Sequence, residues 1–143
     1  MEVLVFVGLQ GAGKSTFHRE RFAATHVLVS KDLLRNNRRP QRRQMRLLDE
    51  ALLGGRSVVV DNTNPTVEDR AAIIRLARER GASVVGYFFD VPIAECLRRN
   101  AGRAGRGRVP DAALFITARR LQRPTLDEGF DRLERVGFDE GGR

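Results

Sequence analysis

Residues 8–16 read Gly-Leu-Gln-Gly-Ala-Gly-Lys-Ser-Thr, and no other stretch limits the possible fold as tightly. The spacing is that of G-x-x-x-x-G-K-[ST], with Gly8, Gly13, Lys14 and Ser15 at the fixed places. In such a loop successive backbone N–H groups, here those of Gly8, Gly11, Ala12, Gly13, Lys14, Ser15 and Thr16, can curl around an anion. Lys14 reaches the β- and γ-phosphates of a nucleotide, and the Ser15 hydroxyl can ligate Mg²⁺. The flanks agree. Residues 3–7 are a continuous apolar run suited to a buried parallel strand, and a helix opening at Gly13 or Lys14 would aim its positive end at the phosphates.

A sheet built on that strand decides how the rest reads. Residues 27–29 form a second short strand, followed by Ser30-Lys-Asp-Leu-Leu-Arg35. Asp32 then lies at the strand's C-terminal end, on the sheet edge where open parallel sheets bind ligands. Asp32 and Arg35 are three apart. If a helix begins at Lys31 or Asp32, both emerge on one face, either as a cap and its ion pair or as a carboxylate and a guanidinium directed at the cleft. Residues 42–53 are helical in pattern, with Met45, Leu48, Leu52 and Leu53 on one side and Gly54-Gly55 as the stop. Arg38, Arg39, Arg42 and Arg43 at its start are either a track for a polyanion or a solvated helix face.

The third strand, residues 57–60, ends in Asp61-Asn-Thr-Asn-Pro65. Valines followed by an acid match the loose Walker B pattern, in which the carboxylate sits near Mg²⁺. Thr66 caps a helix over 67–80 whose core stripe is Val67, Ile73, Ile74 and Ala77. Residues 83–90 form a fourth, fully apolar strand, and a helix runs from there to about Asn100. Residues 103–110 alternate Gly or Ala with Arg, which reads as a lid over 101–109 that orders on phosphates, or else as an idle basic loop. A helix over 111–121, a turn at 124–130 and a strand at 132–136 follow.

A chain of 143 residues suits one domain with little room for an accessory one. No apolar run approaches a membrane span, and Met1 leads directly into the first strand, so the expectation is a cytoplasmic protein. Cys96 is the only cysteine, which excludes an intrachain disulfide and reads as an ordinary helix residue. His18 and His26 have no partners at metal-ligand spacing and read as incidental. The net charge is +8 and all but two of the basic residues are Arg. Arg-rich surfaces can be a compositional habit, but their crowding into residues 35–46 and 98–108 points to an anionic partner.

Taken together, the P-loop, Ser30-Lys-Asp-Leu-Leu-Arg35, Val59-Val-Asp-Asn-Thr-Asn-Pro65, Arg98-Arg-Asn-Ala-Gly-Arg103 and Pro124-Thr-Leu-Asp-Glu-Gly-Phe130 resemble the kinase domain of the polynucleotide 5′-hydroxyl kinases, including those fused to a 3′-phosphatase. The resemblance covers nearly the whole chain. It implies an α/β P-loop NTPase fold, a parallel sheet flanked by helices with strand order 2-3-1-4-5, using ATP and Mg²⁺ held by Ser15 and Asp61. It also implies Asp32 as general base for the 5′-hydroxyl and Arg35 as the grip on the phosphate 3′ to it. Lys14 and Arg103 would stabilise the transferring phosphoryl group, with Arg106 replacing Arg103 if the lid's glycines shift the register, and Arg99 would face the ATP. The partners implied are DNA or RNA 5′-OH ends. No phosphatase-like segment is visible, so an end-healing phosphatase or ligase partner would be a separate chain. The rival readings are a small-molecule kinase of the same fold, acting on a sugar, antibiotic or nucleoside, and a nucleic-acid-binding ATPase.

Overall fold

A computed structural model of the chain describes residues 1–34 and 38–138, with the side chain of Arg106 excepted. Strands β1 (Glu2–Val7), β2 (Val27–Val29), β3 (Val58–Asp61), β4 (Ser83–Asp90) and β5 (Arg132–Gly137) form one parallel sheet in the order β2-β3-β1-β4-β5. That is the order the resemblance implies. Its helices are α1 (Lys14–Arg21), α2 (Pro40–Leu53), α3 (Val67–Glu79), α4 (Ile93–Ala101) and α5 (Asp111–Arg120).

The period of two along β1 divides the core. Val3, Val5 and Val7 point to the face covered by α2 and α3, where Leu48, Leu52, Ile73, Ile74 and Ala77 meet them. Leu4 and Phe6 point to the face covered by α1, α4 and α5, where Phe17, Cys96 and Leu114 pack. Helices on both faces are why these strands read as unbroken apolar runs instead of alternating ones. Cys96 is a fully buried member of that second layer. Among the described residues no helix is long and apolar enough to cross a membrane.

Several boundaries move for local reasons. The P-loop helix ends at Arg21: the N–H groups of Thr25 and His26 both turn back to the Phe22 carbonyl, and the Phe22 ring packs edge-on against Tyr87. His26 is not incidental, since its Nε2 lies 2.8 Å from the Glu2 carboxylate. Residues 31–34 make a single 3₁₀ turn rather than an α-helix. α2 starts at Pro40, whose missing N–H costs nothing at a first helical position. Its buried positions step by four, Gln44, Leu48 and Leu52, so Leu53, about 100° further round the helix, lies off that stripe and is exposed. Val67 likewise lies on the exposed first turn of α3, which Thr66 caps by accepting the Asp69 N–H at 3.0 Å.

Candidate active site

The loop between β1 and α1 is set by backbone shape. Gly11 has φ 83°, and a Cβ there would come within 2.9 Å of the Cys96 carbonyl oxygen. Gly13, at φ 95°, is the left-handed residue from which α1 departs with no side-chain cap, leaving the helix's first N–H groups open to an anion. Lys14 is 8% exposed, and its ammonium donates to the Gly8 and Leu9 carbonyls at 2.8 and 2.7 Å. Burial lowers its pKa to about 8, against the opposing pull of the Asp61 carboxylate. Thr16 lines the same hollow and accepts from Arg19 Nη2 at 3.3 Å.

Ser15 Oγ donates to Asp61 Oδ2 at 3.0 Å. Asp61 ends β3 and is itself buried, and that burial raises its pKa, while Lys14 and the Ser15 hydroxyl act to lower it. A hydroxyl and a buried carboxylate at the mouth of a phosphate loop suit Mg²⁺, which takes few protein oxygens and completes its shell with phosphate and water. The two residues expected to hold the metal are therefore in contact with each other.

Beside them stands the turn Lys31–Leu34. The Asp32 N–H donates to Ser30 Oγ at 3.2 Å, and Asp32 faces the hollow closely enough for its charge to act on Lys14 and Asp61. A relay of amides fixes this turn. The Lys31 N–H donates to Asn62 Oδ1 at 2.8 Å, and Asn62 Nδ2 donates to Oε1 of the buried Gln44 at 2.6 Å. The loop after β3 is itself anchored. Asn64 adopts φ 44° and donates to the Phe6 carbonyl at 2.8 Å, and the Thr63 carbonyl accepts from the Gly8 N–H at 3.0 Å.

Behind that loop lies Arg70, fully buried. It grips both oxygens of Glu128, at 2.8 and 3.0 Å, and donates to the carbonyls of Asn64 at 2.8 Å and Gln122 at 3.1 Å. The Pro124-to-Phe130 signature is thus a brace for the loop beside Asp61, not a part of the cleft.

Opposite, α4 and α5 flank the segment expected to form a lid. Asn100 is buried and pairs with the backbone of Val109 in both directions, accepting its N–H at 3.0 Å and donating to its carbonyl at 2.7 Å. The intervening residues therefore leave and return at one point. Arg103 hangs from that closed loop, donates to the Gly107 carbonyl at 3.3 Å and lines the hollow. Arg99 donates to the Gly11 carbonyl at 3.2 Å and to Glu95 at 2.8 Å, on the far side of the phosphate loop. Arg98 shares Glu95, and bonds from the two arginines hold that carboxyl down at about 2.

Lys14, Ser15, Asp32, Asp61 and Arg103 thus surround one hollow of about 830 Å³ at the C-terminal ends of β1, β2 and β3. A second hollow of about 570 Å³ lies across the phosphate loop, between Phe17, Tyr87 and Arg99, and Arg103 borders both. Arg35 lies outside the described residues, as does the side chain of Arg106. Asn62, Gln44, Asn100 and Arg70 were not anticipated as site residues. The amide-rich run at 61–65 was the available signal for the first. Another such tie, Gln10 Nε2 donating to Thr117 Oγ1 at 3.1 Å, links the phosphate loop to α5 and had none.

Several known proteins are similar to this chain. The bifunctional polynucleotide phosphatase/kinase of Schizosaccharomyces pombe is 29% identical over 96% of this chain, covering 34% of its own length. The chain spans about a third of the length of the curated relatives it matches. A sugar kinase from Janibacter sp. HTCC2649 superposes with TM-score 0.73 at 18% identity, over 97% of this chain and 86% of its own, which speaks to the fold alone. A Pnkp1/Rnl/Hen1 complex contains a chain of which 38% matches 68% of this one, at 25% identity and TM-score 0.60. Residues 3–124, most of the chain and all of the cleft, match the family described as AAA domain, and the chain belongs to that family.

Proposed function

We propose that the chain is an ATP-dependent polynucleotide 5′-hydroxyl kinase, moving the γ-phosphoryl group to the 5′-OH of a DNA or RNA end. The observation that carries this is the single hollow in which a phosphate loop, a candidate metal pair and a carboxylate on a separately braced turn face one another. A kinase needs those parts, whereas an ATPase needs a residue to orient water. The names of the relatives, phosphatase/kinase in one case and Pnkp1 in another, support a polynucleotide acceptor over a sugar.

Ser15 and Asp61 are the residues that would hold Mg²⁺, which supplies neutralisation of charge on the phosphate oxygens. The N–H groups at the start of α1 would bind the polyphosphate, and Lys14 would exchange the Gly8 and Leu9 carbonyls for phosphate oxygens. Asp32 takes the proton of the attacking hydroxyl as its oxygen bonds to phosphorus and the bond to the β-phosphate oxygen breaks. Arg103 swings in on the lid to oppose charge growing on the phosphoryl oxygens. Arg35 holds the phosphate 3′ to the reacting hydroxyl, a role that rests on the resemblance. A single turnover with γ-labelled ATP tests the whole. Label is expected on a 5′-hydroxyl oligonucleotide, whereas label on a sugar or nucleoside, or only in water, overturns the proposal.

A further inference from the structure

The first half of α2 is built against its own stability. Arg42, Arg43 and Arg46 lie three and four apart on the first turns of α2, with Arg38 and Arg39 just before it, so like charges crowd together there. They also crowd the positive end of the helix dipole, with no acid in the first turn to offset it. Several arginines elsewhere are paired, such as Arg80 with Asp49, Arg99 with Glu95 and Arg135 with Asp90. Among the described residues none of the five has a carboxylate partner, and Asp49, one turn on, has both oxygens on Arg80. The five alone line a hollow of about 700 Å³. α2 packs directly on the turn that carries Asp32, and its Gln44 holds that turn through Asn62.

Folding gives no reason for such an arrangement; a bound polyanion does. We propose that this face of α2 receives the sugar-phosphate backbone of the acceptor strand downstream of its reacting end. The assignment rests on the polynucleotide kinase reading and adds to it a strand rather than a single nucleotide as substrate. From Pro40 to Arg46 the helix rises about 9 Å, and Arg38 and Arg39 extend the basic stretch beyond its start, enough for roughly three phosphates at ~3.4 Å each along a strand.

The test is binding of a 3′-fluorescein 5′-hydroxyl oligo(dT) octamer by anisotropy, for wild type and for the variant with all five arginines replaced by Gln. Neutralising about three phosphates of a single strand makes the log-log slope of affinity against salt steeper by about 2, or ~16-fold between 50 and 200 mM. The variant is expected to lose that part of the slope and to melt no lower than wild type. Equal slopes overturn the proposal, and so does a lower melting temperature, which would make the arginines structural. Poly-glutamate competing as well as an unlabelled octamer overturns it in favour of an acidic protein partner. Label transfer from ATP to the 5′-hydroxyl of the unlabelled octamer is measured in parallel. If it fails while the binding data hold, the strand surface stands and the kinase reading falls.

Discussion

Asp32 and Lys14 show how differently two residues of one hollow are made. Asp32 is exposed, on a turn held by backbone bonds and by the Asn62 amide. Its removal should leave the phosphate loop intact: Asp32→Ala is expected to lower the transfer rate roughly a hundredfold or more, with ATP affinity, read by calorimetry, unchanged. An active variant would exclude Asp32 as the base. Lys14 is instead buried with its charge, and its pKa of about 8 lies below the ordinary 10.5. Between those values the unfolded chain binds more protons than the folded one, so this residue makes stability rise with pH across that window. Below about 8 the penalty is fully present. The rise amounts to roughly 3 kcal/mol, and denaturant midpoints from pH 7.5 to 10.5 should show it in wild type and lose it in Lys14→Met.

At the level of elements, the proposed lid has pinned ends. Asn100 closes residues 100–109 on themselves, so the lid reading has Arg103 moving about a fixed base instead of at the end of a loose chain. Asn100→Ala leaves two backbone groups of Val109 unanswered and is expected to lower kcat about tenfold, the scale of one lost buried bond, with ATP binding far less affected. Arg103→Ala in the same background should then add little, and full additivity would show that Asn100 does not act through the lid. The elements with strong periodicity or punctuation were legible in the sequence. The phosphate loop announces itself by glycines at fixed offsets, and β1, β3 and β4 by apolar runs. The turn at 31–34 was not, because four residues are too few to distinguish a 3₁₀ turn from a helix start. Asn100 and Gln44 were equally hidden, since an amide that satisfies distant groups carries no local signature.

For the molecule as a whole, Arg70 and Glu128 matter more than their distance from the chemistry suggests. The pair is buried, so Glu128→Gln leaves an uncompensated cation inside and should cost about 3–5 kcal/mol in chemical denaturation. Replacing both by Met is expected to recover most of that stability, because two buried charges are exchanged for apolar volume. Transfer activity should remain low, since nothing then holds the Asn64 carbonyl. Recovered activity in the double variant would show that the brace serves folding only. The sequence made the signature at 124–130 conspicuous without giving its purpose, because what it touches lies 58 residues away. That separation also sets an order of assembly. The bonds of Lys14 within the phosphate loop are local, to carbonyls six and five residues away. The loop beside Asp61 is locked only when residues 122 and 128, beyond the last helix, come back to Arg70. During synthesis, which runs from the N-terminus, the lysine bonds of the phosphate loop can therefore form before the loop beside Asp61 is locked. A nascent chain acquires its cleft only once Glu128 has emerged.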